Sequence, residues 1–188
     1  MTEATPPATP ATPATPVEAT LRWVERAIIG LNLCPFAKAV VAKGQLRIVE
    51  SAARDGEALA NDLLRELQQL IDTPAAVLDT TLLVAPRVFA DFGEFNDFLD
   101  ICDAMLEELE LEGIVQIASF HPDYCFADSA ADDIANATNR SPYPTLHLLR
   151  EASVERAVDS VPDTDQIFER NIETLRRLGP AGWEALWK

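Results

Sequence analysis

The sequence predicts an α/β fold, a single layered domain over residues 17–188 with about four strands in a mixed sheet and helices flanking it. Three observations predict this. Short β-favouring runs alternate with longer stretches in which apolar residues recur at helical spacing. Glycine and proline punctuate the joins between them. The connections between the first three strand-like runs are long enough for crossovers, so those strands are expected to run parallel, with any site beyond their carboxyl ends.

Residues 4–16 repeat Ala-Thr-Pro, have almost nothing to bury and favour extended polyproline II conformers, so residues 1–16 are expected to form a disordered tail. From Val17 the pattern changes. Leu21, Val24, Ile28 and Leu31 mark an amphipathic helix, and Gly30 and Pro35 bound its end. Leu46 to Glu50 alternates as a short strand. Asp55-Gly56-Glu57 opens a helix through Leu59, Leu63, Leu67 and Leu70 that stops before Pro74. Thr80 to Ala85 is a buried strand closed by Pro86. A helix from Phe92 to Leu111 carries Phe95, Phe98, Leu99, Cys102, Leu106 and Leu109 on its apolar side, with Gly113 at its end. Ile114 to Phe120 is the third strand and Thr145 to Arg150 the fourth, although Leu148-Leu149 could begin the helix through Val154 and Val158 instead. The last helix runs from Thr164 to Leu178 and stops at Gly179-Pro180, leaving Trp183 and Trp187 as an aromatic tail over the core.

Acids exceed bases by 31 to 15, giving a net charge of −16, and no basic cluster is longer than Arg176-Arg177. Such a surface repels phosphate backbones and argues against a nucleic-acid partner. No stretch approaches the roughly 20 apolar residues of a membrane span, and the N-terminus lacks the order of a secretory signal. Three scattered cysteines, Cys34, Cys102 and Cys125, spell out no disulfide framework, so a cytoplasmic setting is expected. The sequons at Asn136 and Asn139 are then chance matches.

Between the third and fourth strands lies a loop of about 25 residues with no period of its own, a length usually tied to function or disorder. Pro122, Pro142 and Pro144 stiffen it, and Tyr124, Phe126 and Tyr143 give it mass to pack, so an ordered loop is expected. The chain's two histidines stand at its ends. His121 follows a strand directly, as Pro86-Arg87 does, and could serve as a base, a metal ligand or a hydrogen-bonded loop anchor. His147, in an apolar strand, is expected to be buried and satisfied. Cys34 precedes Pro35, a helix-start signal, and there the positive end of a helix would lower its pKa; the alternative is a small buried hydrophobe. Cys102 on its apolar helix face is core filler.

These residues support three expectations. The leading one is a small-molecule pocket formed by the Cys34 helix start, the His121 loop and the segment from Asn139 to Arg150. Any reaction there would be a thiol-dependent transfer or hydrolysis, with Cys34 as nucleophile, His121 as base, Asp123 as orienter and Arg140 as anion clamp. Tyr124, Asn139, Tyr143 and Arg150 would complete substrate binding. The second is a zinc or copper site using Cys34, His121 and His147, whose thiolate and imidazole groups suit those metals. The third is a non-catalytic protein-interaction module with an unspecified partner. The chain carries no Gly-x-Gly-x-x-Gly, P-loop, His-Glu-x-x-His or Gly-x-Ser-x-Gly motif, so no cofactor is named.

Four blocks also carry a family likeness: Asn32-Leu-Cys34-Pro-Phe-Ala37, Thr80-Thr-Leu-Leu-Val84, Phe120-His-Pro-Asp-Tyr124 and Asn139-Arg-Ser-Pro-Tyr-Pro-Thr-Leu-His-Leu-Leu-Arg150. In this order the chain resembles the bacterial family called domain of unknown function 1415, from about Val17 to Leu178, with the Pro/Thr tail outside. The resemblance implies a soluble bacterial protein and marks Cys125 as a less typical residue. It supplies no reaction.

Overall fold

The structure, a computed structural model, describes residues 14–160 and 166–188. Most of the expected tail, and the expected start of the last helix at Thr164, lie outside these residues. The first helix, α1 (Pro16–Trp23), begins one residue early because Thr15 and Glu18 form a capping box around Pro16 at its first position. It continues into a π-helical turn, Val24–Ile29, in which Gly30 N–H reaches back to Glu25 O. The buried seam runs through Thr20, Trp23, Val24, Ala27 and Ile28 at ordinary helical spacing, so Leu21, expected to face the core, lies at its exposed margin.

Then follow α2 (Ala37–Ala42), β1 (Leu46–Glu50), α3 (Gly56–Asp72), β2 (Thr80–Val84), α4 (Phe92–Glu108), β3 (Val115–Phe120), β4 (Thr145–Arg150), α5 (Glu151–Ser160) and α6 (Ile167–Ala185). The β4 strand and the α5 helix meet end to end, which resolves the ambiguity at Leu148-Leu149. Helix α6 kinks at Gly179, whose φ of 68° ends one helical run before Pro180 starts the next. That second run brings Trp183 edge-on to Trp187, with centroids 5.4 Å apart, over the α1 side of the core.

The four strands form a mixed sheet in the order β1-β2-β4-β3. β1 and β2 are parallel, whereas β4 lies antiparallel to both β2 and β3. The first three strands therefore share one direction, and their carboxyl ends share one edge. Alternation along each strand divides the sheet into two faces. One face, with Leu83, Leu146, Leu148 and Val115, packs against Leu59, Leu63, Leu67 and Leu70 of α3 and Phe95, Phe98, Cys102 and Leu106 of α4. Burying each such side chain stabilises the fold by about 1.5–3 kcal/mol. The other face, with Leu46, Ile48, Leu82 and Phe120, is covered by Trp23, Val24, Ala27 and Ile28 and by Leu175 of α6. Among the described residues, no helix is long and apolar enough to cross a membrane.

The long loop is ordered by a 3-10 turn, Ile134–Thr138, too short to show a period in the sequence. Its Asn136 is fully buried, accepting from Phe126 N–H at 3.1 Å and donating to Ala130 O at 2.8 Å. That bonding leaves no room for a glycan at this sequon.

Candidate functional site

On the α1 side of the sheet, strand pairing sets Leu82, His147 and Ala118 side by side in one row. Ala118 is the smallest of the three. Beside it the covering helices leave a cavity of about 410 Å³, walled by Trp23, Val24, Leu82, Phe120, Val41 and Val154 among others. The polar groups on this wall include Cys34, Asn139, His147 and Asn171.

His147 is held by Thr80, whose Oγ1 lies 2.8 Å from His147 Nε2 and 2.7 Å from Leu148 O. A hydroxyl has one proton, and the carbonyl can only accept, so Thr80 donates to Leu148 O and accepts from Nε2–H. The tautomer is thereby fixed. Burial beneath the helices pushes the His147 pKa down to about 4, leaving the ring neutral near pH 7, although the cavity keeps part of its surface open. Asn171 donates its amide to Leu33 O at 2.9 Å and so ties α6 to the Cys34 segment.

Cys34 stands ahead of α2, whose cap residue is Phe36, so the thiol is not at the cap position that Pro35 suggested. Its pKa is raised, because burial outweighs the lowering effect of the Phe36 and Ala37 backbone. The expected activation by a helix start is thus reversed by desolvation.

His121, Asp123 and Tyr143 line a different space, a cleft of about 620 Å³ at the carboxyl ends of the strands that Arg54, Arg87 and Glu94 also border. His121 itself is completely enclosed. Its Nδ1 accepts from Asp123 N–H at 3.0 Å, so Nε2 carries the proton and donates to Phe89 O, also at 3.0 Å. Phe92 and Phe95 pack against the ring, each with centroids 5.4 Å away. The carbonyl it holds belongs to a residue with φ of 58°, a conformation that non-glycine residues seldom adopt. Nε2 therefore fastens the loop after β3 to the loop after β2, while Nδ1 holds the ring within its own loop. Asp123 contributes its backbone N–H to that second hold.

The two arginines of the expected binding set are engaged by backbone carbonyls. Arg140 reaches Tyr124 O and Ala131 O at 3.0 and 2.7 Å. Arg150, at the far end of the sheet-face cavity, bonds Leu70 O, Thr73 O and Leu78 O and so caps the end of α3. Tyr124 stacks between Phe92 and Phe126, at 5.0 and 5.1 Å.

The fold thus brings Cys34, Asn139, His147 and Arg150 to one cavity and His121, Asp123 and Tyr143 to another. Among the described residues, no three His, Cys, Asp or Glu side chains are grouped so as to hold a metal ion. Thr80, Ala118 and Asn171 were not legible as site residues. Only the strand pairing and the α6 contact give them their places.

No curated protein and no solved structure matches the chain. The family model described as protein of unknown function (DUF1415) matches residues 15–185, so the chain belongs to that family.

Proposed function

We propose that this protein binds a small, largely apolar molecule in the sheet-face cavity. The observation that carries this reading is the cavity itself, about 410 Å³ with mainly apolar walls and a few converging polar groups. Ligand pockets typically have volumes of about 300–1,000 Å³ and this kind of lining. The test is Ala118→Phe, which places a ring beside His147. Native mass spectrometry of the purified full chain should detect a retained small molecule, and the variant should lose it. Overpacking should cost no more than about 1–3 kcal/mol, checked by urea unfolding. Retention of the same molecule by a folded Ala118→Phe variant would refute the assignment.

Thiol-dependent transfer is a second reading, supported by Cys34 sharing this cavity with a histidine. His147, rather than the fully engaged His121, would be its base. Alkylation by iodoacetamide tests it. Without ligand, the raised Cys34 pKa predicts slow alkylation at neutral pH that accelerates only in alkali. A rate plateau below the ordinary thiol range would instead show an activated nucleophile.

A further inference from the structure

We propose that the sheet-face cavity selects apolar molecules that bear a hydroxyl or N–H donor and no anionic group, the donor being received on Nδ1 of His147. This rests on the reading of the cavity as a ligand site and adds the chemistry of the ligand.

The argument begins with the Thr80 hydroxyl. Its proton goes to Leu148 O, so the histidine proton must sit on Nε2, and Nδ1 is left with a lone pair. Among the described residues nothing hydrogen-bonds to that nitrogen, and it is not one of the two enclosed side-chain atoms without a partner, Trp23 Nε1 and Thr81 Oγ1. It therefore meets open space, and the space beside His147 is the cavity.

Asn171 is less selective: it spends one amide N–H on Leu33 O and keeps its carbonyl oxygen and its second N–H, so it can accept from a donor but does not by itself require one. Among the described residues Arg150 is the one cation on this wall. Arg150 is turned onto the carbonyls at the end of α3, and Asp79, bonded to Ser153 Oγ, adds a negative charge at the same end. A carboxylate or phosphate would leave water for a wall that offers neutral amides, an acid and no free cation. A hydroxyl or an N–H would find an acceptor already fixed in orientation by its bond to Thr80.

Equilibrium dialysis of the full chain against 2-naphthol, 2-methylnaphthalene and 2-naphthoate tests this. The three probes share a ring system and differ in presenting a donor, an isosteric methyl group or an anion. The expected order is naphthol tighter than methylnaphthalene by about tenfold, the size of one net hydrogen bond, with naphthoate weakest. His147→Phe should abolish the difference between naphthol and methylnaphthalene. Should that variant not fold, the imidazole ¹⁵N spectrum of the unaltered chain serves instead, since naphthol must shift the Nδ1 resonance.

Equal binding of naphthol and methylnaphthalene, or a preference for naphthoate, overturns the inference while leaving the cavity as a ligand site. Failure of all three probes to bind, or binding that Ala118→Phe leaves unchanged, removes the ligand-site reading and this inference with it.

Discussion

The cleft at the strand ends and the cavity on the sheet face each hold one of the chain's two histidines, and each ring carries its proton on Nε2. At His121 the remaining nitrogen is taken by Asp123 N–H, and the ring is completely enclosed. At His147 the remaining nitrogen opens on the cavity. The cleft occupies the customary position for a site in an α/β sheet, yet its histidine is fully engaged, with Nε2 holding two loops together and Nδ1 bound within its own loop. What a histidine can do for a ligand depends on the lone pair its neighbours leave over, and strand position does not determine that.

The comparison breaks most visibly in stability. His121→Ala would orphan Phe89 O and Asp123 N–H and empty the space between Phe92 and Phe95, at a cost of about 3–5 kcal/mol. Urea unfolding should register this as a lower midpoint. A loss under about 1 kcal/mol would mean that the ring is not the fastening described here.

A somewhat smaller effect separates the two rings by pH. Burial holds His147 near 4, whereas an exposed histidine titrates at about 6.5. Between those values the unfolded chain takes up a proton that the folded ring refuses. The contribution to stability is complete above about pH 6.5 and declines as pH falls toward 4, by a total on the order of 2–3 kcal/mol. Unfolding curves for the wild type and His147→Phe, taken in steps between about pH 4 and 7, should diverge over that window through a steeper decline in the wild type. Parallel curves would show that the ring is open to water.

The smallest effect concerns the thiol. Cys34→Ala removes one half-buried sulfur, worth about 1 kcal/mol, and should leave the cleft around His121 intact. Amide exchange of Asp123, protected by His121, reports on that cleft and should not change. A loosened Asp123 amide would show that the two regions are coupled.

Much of the fold was legible because its signals are local. Leu59, Leu63, Leu67 and Leu70 of α3 are all buried, as their spacing indicates, whereas Leu64 off that stripe is exposed, and Asp55 caps the helix by accepting from Ala58 N–H at 2.8 Å. The shared direction of β1, β2 and β3 followed from crossover length. Val24 and Ile28 lie on the buried seam of the first helix as expected, but Leu21 does not, because the seam centres on Trp23 and includes the polar Thr20, which apolar spacing alone does not show. Helix α4 ends at Glu108, short of the expected Leu111, as the chain turns through Glu110 with φ of 55°. The placement of the site residues depended on distant contacts. Nothing near Arg150 in sequence shows that it will cap α3, and nothing near His147 names Thr80 as its partner. The pull of the Cys34 backbone neighbours was correctly signed, but the opposing effect of burial depends on helices that only the folded chain supplies.

The strand order also bears on how the chain can be made. β4 sits inside the sheet, and among the described residues β3 has no hydrogen-bonded neighbour except β4. During synthesis β1 and β2 can pair as soon as they emerge, whereas β3 must wait with both edges bare until Arg150 has been added. Bare strands of this kind are prone to pair with other chains. A ribosome that stalled within the loop before β4 would release a product with an incomplete sheet. The last strand to arrive closes the sheet, and with His147 it also delivers the polar centre of the cavity.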